Sequence, residues 1–215
     1  MATARPEILV LAGVNGAGKS TVAGARLLNA GGQFYDPDLY ARQLHIAQPG
    51  LSIEEANGQA WQHGRGLLER AIDTRVNFAF ESTLGATTIP KLLRRATTSH
   101  DVHIMFVGLD SAERHIARVA ARVRAGGHDI PEAKIRTRYT SSRANLIDLV
   151  PCLASLQVYD NSKEVVADGT TIPRPTRLLE MEAGAITYEA PRGSIPDWAK
   201  AIVQAARDHV KSRTP

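Results

Sequence analysis

Residues 13–20 carry the residue types that bind phosphate groups. They read Gly13-Val14-Asn15-Gly16-Ala17-Gly18-Lys19-Ser20, match the pattern G-x-x-x-x-G-K-[ST] of a Walker A motif, and are followed by Thr21. Glycines let the backbone wrap closely and point several N–H groups at a polyphosphate. Lys19 can reach the β- and γ-phosphates of a nucleotide, and the Ser20 hydroxyl can bind Mg²⁺. The expected nucleotide contacts are Gly13, Asn15, Gly16, Ala17, Gly18, Lys19, Ser20 and Thr21.

Acidic side chains follow two short apolar runs further along the chain. Asp36-Pro37-Asp38 follows the run that ends at Tyr35, and Glu81-Ser82-Thr83 follows Phe78-Ala79-Phe80. Ligands of doubly wound sheets bind at the carboxyl ends of strands, and phosphoryl transfer needs a base for the attacking hydroxyl. Asp36 suits that role, and Glu81 could orient an acceptor or contact metal-bound water. Turn and N-cap chemistry around Pro37 is the simple alternative for both aspartates, but the neighbouring phosphate motif favours function.

Basic residues are concentrated between residues 111 and 150, a segment that contains eight basic and four acidic residues. This excess equals the net charge of +4 of the whole chain. Arg118 and Arg122 are four residues apart and share a helix face. Two Arg-bearing helices joined by Gly126-Gly127 predict a lid that closes over a bound nucleotide. A solvated face with i,i+4 pairs is the alternative, and the scarcity of acids at pairing distance favours the lid. Asp110 could be the terminal aspartate of a Walker B-type strand or could cap the first of these helices, and we prefer the cap.

Short apolar runs alternate with helical patterns, which predicts an α/β fold with a mainly parallel sheet. We expect strands at 7–12, 33–35, 77–81, 103–109 and 156–160. We expect helices at 19–28, 52–73, 111–124, 131–149 and 196–210. Ser52 and Glu55 have the spacing of a capping box at the start of the second helix. The length and the absence of a linker favour a single domain with a helical lid at about 111–150.

The composition excludes several classes of protein. The single cysteine, Cys152, rules out an internal disulfide, and no apolar run approaches the roughly 18 residues that a membrane span needs. We expect a cytoplasmic protein without a leader peptide. Aromatic residues make up 5% of the chain, which makes nucleic-acid binding an unfavourable interpretation of the basic charge. His128 is expected to be a helix-end residue rather than a catalyst. Trp61 is expected to be a packing residue, with a substrate contact as the alternative.

Several of these motifs, taken in order, resemble the zeta toxin family, and in particular its stand-alone bacterial branch. The resemblance covers residues 7 to 162. The motifs that carry it are Leu11-Ala12-Gly13-Val14-Asn15-Gly16-Ala17-Gly18-Lys19-Ser20-Thr21, Phe80-Glu81-Ser82-Thr83-Leu84, Arg118-Val119, Arg122-Val123, Gly126-Gly127-His128-Asp129-Ile130-Pro131, Arg138-Tyr139 and Val158-Tyr159-Asp160-Asn161-Ser162. The phosphate motif alone is generic, whereas the ordered combination is specific.

The resemblance implies a P-loop NTPase sandwich with kinase activity. Characterised members of the family phosphorylate a hydroxyl of UDP-N-acetylglucosamine with ATP, and an antitoxin protein holds them inactive. By this resemblance Lys19 and Ser20 bind ATP and Mg²⁺, and Arg118 and Arg122 correspond to phosphate-binding arginines. The expected partners are therefore ATP, a small hydroxyl-bearing acceptor and a possible antitoxin, with no membrane.

The resemblance also assigns the acceptor side of the site. Asp36 matches the family's base, and Asp38 is the alternative because the local alignment is ambiguous. Glu81 and Thr83 match the substrate-side strand end. The chain is shorter than the classical toxins, and no segment matches a sugar-nucleotide pocket. A second hypothesis is therefore an ATP-binding switch, or toxin–antitoxin component, that acts through partner binding without phosphorylating an acceptor.

Overall fold

The computed structural model describes residues 4–19, 34–163 and 174–213. These residues form one seven-stranded sheet in the order β2-β3-β1-β4-β5-β6-β7. Neighbouring strands from β2 to β5 are parallel, whereas β6 and β7 join antiparallel beyond β5. The strands are β1 Glu7–Ala12, β2 Phe34–Tyr35, β3 Phe78–Ser82, β4 Asp101–Gly108, β5 Ser155–Asp160, β6 Thr176–Glu182 and β7 Ala185–Glu189. The predicted α/β class and mainly parallel sheet are confirmed.

Six helices accompany this sheet within the described residues. They are α1 Pro37–Ala47, α2 Ile53–Thr74, α3 Thr88–Ala96, α4 Ala112–Arg124, α5 Glu132–Leu149 and α6 Asp197–Arg213, with short 3₁₀ turns at Val150–Cys152 and Arg192–Ser194. Within the described ranges, none of the helices combines the length and the apolar character that a membrane crossing requires. Apart from Lys19, the helix predicted at 19–28 lies outside the described residues.

The main core lies on the sheet face that α3, α5 and α6 cover. Ile8 and Phe106 from the two central strands are buried there together with Leu156 of β5. The indole of Trp198 on α6 lies so close to Gly108, the last residue of β4, that a Cβ at this position would overlap the ring. Only glycine therefore lets the last helix seat against the carboxyl end of the central sheet.

Helices α1 and α2 form a hairpin with a small hydrophobic cluster of its own, built on Ala41, Ala56 and Ala60. The predicted capping box of α2 is present, since the Ser52 and Glu55 side chains each bind the other's backbone N–H. Helix α1 was not predicted. Its buried face is little more than Ala41, so its sequence carries only a weak helical period.

Three further elements differ from expectation. Helix α3 and the hairpin β6–β7 lie where no regular structure was predicted. The two-residue turn Ala183-Gly184, with φ of 49° and 79°, is the hairpin signal that was missed.

The expectation that Asp110 caps α4 is wrong. Ser111 is the N-cap, because its hydroxyl accepts the Arg114 N–H at 3.2 Å, and Asp110 instead binds the Arg114 guanidinium at 2.8 Å.

Candidate active site

The phosphate loop begins where the central strand β1 ends, and glycines fix its path. Gly13 has φ of 142°, and a Cβ there would overlap the carbonyl oxygen of Val107 on β4. Its N–H donates to the Ser82 carbonyl at the end of β3 at 3.2 Å. The loop therefore leaves the sheet between the ends of β3 and β4, the position where doubly wound folds bind ligands.

The next two glycines of the loop lie against side chains and backbone from later parts of the chain. Gly16 and Gly18 have φ of 80° and 79°. A Cβ on Gly16 would lie 2.8 Å from the His115 carbonyl oxygen, and a Cβ on Gly18 would overlap the Asn161 amide. The loop packs this closely against His115 and Asn161 only because these two positions carry no side chain.

Asn15 is held from two sides. Its carbonyl oxygen lies 2.9 Å from Nδ1 of His115 on α4, and its side-chain oxygen accepts from the Arg138 guanidinium on α5 at 2.7 Å. Burial lowers the pKa of His115 from 6.5 to about 4. The imidazole is therefore neutral at pH 7, and because a carbonyl only accepts, its proton lies on Nδ1. The two helices of the Arg-rich segment thus anchor the phosphate loop directly.

Asn161, just beyond β5, holds the other half of the loop. Its amide donates to the Ala17 carbonyl at 2.9 Å, and its own carbonyl accepts from the Arg118 guanidinium at 2.7 Å. The sequence motif that includes residues 160–162 is therefore part of the loop's support. Arg118 also lines the cavity beside the loop.

Lys19 forms a buried ion pair with Glu81 at the end of β3. Its Nζ lies 3.2 Å from the Glu81 carboxylate and donates to the Gly13 carbonyl at 2.8 Å; the two side chains are 6% and 15% exposed. Burial raises the pKa of Glu81, and the nearby Asp36 carboxylate adds to the effect, whereas Lys19 opposes it. The lysine expected to bind phosphate is thus held at the loop by a carboxylate.

Two adjacent cavities meet beside this ion pair. The loop cavity is lined by Asn15, Gly16, Gly18, Lys19, Asp36, Asp38, Leu39, Arg42, Glu81, Arg118 and Arg122. The adjoining cleft, of about 220 Å³, lies between the α1–α2 hairpin and the start of α5, and Tyr35, Trp61, Thr83, His128, Lys134 and Arg138 are among its lining residues. Asn15, Asp38 and Glu81 border both cavities. Ser20 and Thr21 lie outside the described residues.

The two candidate aspartates occupy different positions. Asp36 is the N-cap of α1, and its Oδ1 accepts the N–H groups of Asp38 at 2.9 Å and Leu39 at 3.1 Å. Asp38 points across the cleft, where its Oδ2 lies 3.6 Å from the Arg122 guanidinium and 3.9 Å from Nε2 of His128. The cap chemistry predicted around Pro37 is thus present at Asp36, while Asp38 faces both cavities.

The arginines of the 111–150 segment divide into two groups. Arg118 and Arg122 line the loop cavity. Arg114 and Arg136 instead pair with the carboxylates of Asp110 and Glu113. The expectation that acids would be scarce at pairing distance is therefore wrong for this second group. Asp110 precedes α4, and Glu113 on α4 pairs with Arg136 on the facing helix α5.

The adjoining cleft contains two residues that sequence reasoning assigned elsewhere. His128 lines the cleft beside Asp38 rather than ending a helix, and Trp61 presents a 40% exposed indole to the cleft rather than packing in the core. Gly126-Gly127 was the available signal for His128, because a tight turn aims the residue that follows it. Trp61 carried no signal, since its direction depends on how α2 lies over the sheet.

Comparisons with known proteins agree with this geometry. The family model described as "Zeta toxin" matches residues 1–170. An uncharacterized protein of Haemophilus influenzae is 34% identical over 128 residues, which are 59% of this chain and 88% of that protein. Among solved structures, AvrRxo1-ORF1:-ORF2 with ATP gives a TM-score of 0.61 at 14% identity over 94% of this chain, although the match spans only 64% of that chain.

A second structural match is the PezAT chromosomal toxin–antitoxin system of Streptococcus pneumoniae. It gives a TM-score of 0.54 at 14% identity and covers 98% of this chain and 87% of that chain. At this level of identity the structural matches establish the fold. That fold is an α/β arrangement with a phosphate loop at the end of the central strand, the arrangement predicted from the sequence.

Proposed function

The chain belongs to the zeta toxin family, and from that premise we propose that it is an Mg·ATP-dependent kinase that phosphorylates a hydroxyl of a small acceptor. Membership of the family and the shared fold support a nucleotide-dependent, kinase-like function. The observation that carries the proposal is that the loop cavity and the adjoining cleft meet at Asn15, Asp38 and Glu81. A phosphate donor in one cavity and an acceptor in the other would meet at these residues.

The loop cavity fits a nucleotide triphosphate. Gly16 and Gly18 let its backbone turn tightly, and Lys19, Arg118 and Arg122 supply positive charge around it. In this proposal Lys19 leaves Glu81 for the phosphates, and the arginines neutralise charge that develops on the transferred group. Ser20 would hold Mg²⁺, which supplies further charge neutralisation when bound. Catalysis is then mainly positioning and electrostatic stabilisation.

Asp38 is the better placed of the two candidate bases. Oδ1 of Asp36 already accepts two backbone N–H groups at the start of α1, so this oxygen is engaged in the helix cap. Asp38 makes no such cap and borders both cavities. We therefore propose that Asp38 accepts the proton of the acceptor hydroxyl. Asp36, the first choice from the resemblance, becomes the alternative base.

The adjoining cleft is the proposed acceptor site. Glu81 and Thr83 line it at the end of β3. UDP-N-acetylglucosamine, the acceptor that the family resemblance implies, is the first compound to test. We further propose a cytoplasmic protein that an antitoxin could regulate.

An acceptor screen with radiolabelled ATP tests the assignment. The purified protein, Mg·ATP and a panel of nucleotide sugars should yield a labelled product, and Lys19→Ala and Asp38→Asn should each abolish it. Asp36→Asn tests the alternative base, and Lys91→Ala, on the exposed surface of α3, is the matched control for a lost lysine. Full transfer by both Lys19→Ala and Asp38→Asn would refute the proposal. ATP binding without product from any acceptor would favour the partner-binding switch.

A further inference from the structure

His128 lies between the two walls of the adjoining cleft and is firmly held there. Its side chain is 9% exposed, and its carbonyl accepts from the Arg122 guanidinium at 3.2 Å. Gly127 lies against the same arginine, since a Cβ there would be 2.7 Å from the Arg122 Cγ. The turn after α4 is thus fixed onto Arg122, and it aims the imidazole at Asp38 on α1.

The imidazole has little else to bind. Its ring nitrogens form no hydrogen bond with any residue in the described parts of the chain, and Nε2 lies 3.9 Å from Oδ2 of Asp38. This distance is about 1 Å longer than a hydrogen bond. Catalytic hydrogen bonds are often long in a protein without its substrates and shorten when the complex forms. The contact is therefore one that closure of the cleft can complete.

Burial favours the neutral form of His128. Burial lowers its pKa, and Arg42 on α1 and Arg122 on α4 act in the same direction. Asp38 on α1 and Asp129 on its own turn oppose them. A neutral ring can donate Nε2–H to Asp38 without placing a second cation beside the Arg122 guanidinium, which lies 3.6 Å from the same oxygen.

We propose that His128 is a positioning residue for phosphoryl transfer, which donates Nε2–H to Oδ2 of Asp38 when the cleft closes and leaves the other oxygen facing the acceptor hydroxyl. The inference rests on the proposed function, in which Asp38 is the base. The closing movement brings the turn after α4 toward α1 by about 1 Å. His128 exchanges no proton in this role. It fixes the direction of the carboxylate that does.

A kinetic comparison tests the role. His128→Leu keeps the bulk and removes the donor, whereas His128→Gln keeps an amide N–H near the position of Nε2. With UDP-N-acetylglucosamine, or the best acceptor of the screen above, His128→Leu should lower kcat about 100-fold while KM for ATP changes less than about threefold. His128→Gln should recover most of kcat. His209→Leu, on α6, is the matched control, and equal kcat for His128→Leu and this control would overturn the proposal.

A spectroscopic measurement gives a result that does not require an acceptor. In ¹⁵N NMR spectra at pH 7, the His128 ring should be neutral with its proton on Nε2. Asp38→Asn should lower the pKa of His128 further, because it removes the facing carboxylate. A cationic ring at pH 7, or a pKa that Asp38→Asn leaves unchanged, would overturn the proposal even if the kinase is active. Failure of the wild type to phosphorylate any acceptor would instead refute the proposed function.

Discussion

The ammonium of Lys19 lies 3.2 Å from the carboxylate of Glu81, and both groups are almost completely buried. A nucleotide that binds in the loop cavity has to compete with Glu81 for the lysine. Binding would also leave the carboxylate facing the adjoining cleft without its cation. The ion pair therefore couples the state of one cavity to the charge of the other.

Replacing the carboxylate tests this coupling. Glu81→Gln should weaken the fold without nucleotide, because it leaves the buried Lys19 ammonium without a counter-charge; loss of one partner of a buried pair costs about 3–5 kcal/mol. The same change should strengthen binding of a non-hydrolysable ATP analogue, since the nucleotide no longer competes for Lys19. Thermal unfolding and titration calorimetry measure the two effects. Weaker binding of the analogue to Glu81→Gln would contradict the coupling.

Gly13 should be intolerant of any side chain. Gly13→Ala places a methyl group against the Val107 carbonyl oxygen at φ of 142°, so the loop has to move away from the sheet. We expect a lower melting temperature and loss of nucleotide binding. Gly58→Ala is the matched control, because Gly58 lies in α2 with open space around its Cα. It should stabilise the protein by about 0.5–1 kcal/mol, and a stable, nucleotide-binding Gly13→Ala would contradict the geometry.

His115 should contribute to acid sensitivity. Its pKa is lowered from 6.5 to about 4 in the fold, so the unfolded chain binds a proton at a higher pH than the native protein does. Stability is therefore lost as pH falls from about 6.5 toward 4, by at most about 3 kcal/mol from this group. His115→Asn should show a smaller loss over that range in urea unfolding. Because His128 and His209 shift in the same direction, the comparison is between variant and wild type, and equal losses in both would contradict the assignment.

The two groups of arginines should differ in their effect on turnover. Arg118→Met removes a guanidinium that lines the loop cavity and supports Asn161, and we expect kcat to fall by about 10²–10³-fold. Arg136→Met removes a partner of the exposed Glu113 carboxylate, and it should leave kcat within about twofold, as surface pairs contribute little. The acceptor screen's best substrate serves for both measurements. Similar losses in the two variants would show that the arginines act through the charge of the segment rather than through position.

The parts of the site that were predicted from the sequence are those that depend on local chemistry. Each of these features lies within a few residues of chain, so that residue spacing alone determines where its side chains point. They are the phosphate loop, the strand-end carboxylates and the Arg118–Arg122 face. The parallel strands could be predicted because each one contains its own run of apolar residues.

What was missed depends on contacts between distant segments. Helix α1 buries little surface, so only its packing against α2 shows that it is a helix, and the choice between Asp36 and Asp38 follows from that helix. His128 became part of the cleft because its turn rests on Arg122. Neither relationship has a period or a spacing that a sequence can show.

The packing of Trp198 against the end of β4 limits how far the protein can be shortened. The family model ends at residue 170, yet β6 pairs with β5, and the Trp198 indole donates to Asp160 at 3.2 Å, next to the asparagine that supports the loop. A fragment that stops at residue 170 would leave β5 as an unpaired edge strand and would expose the core surface that α6 covers. Such a fragment should aggregate on expression rather than yield a minimal enzyme.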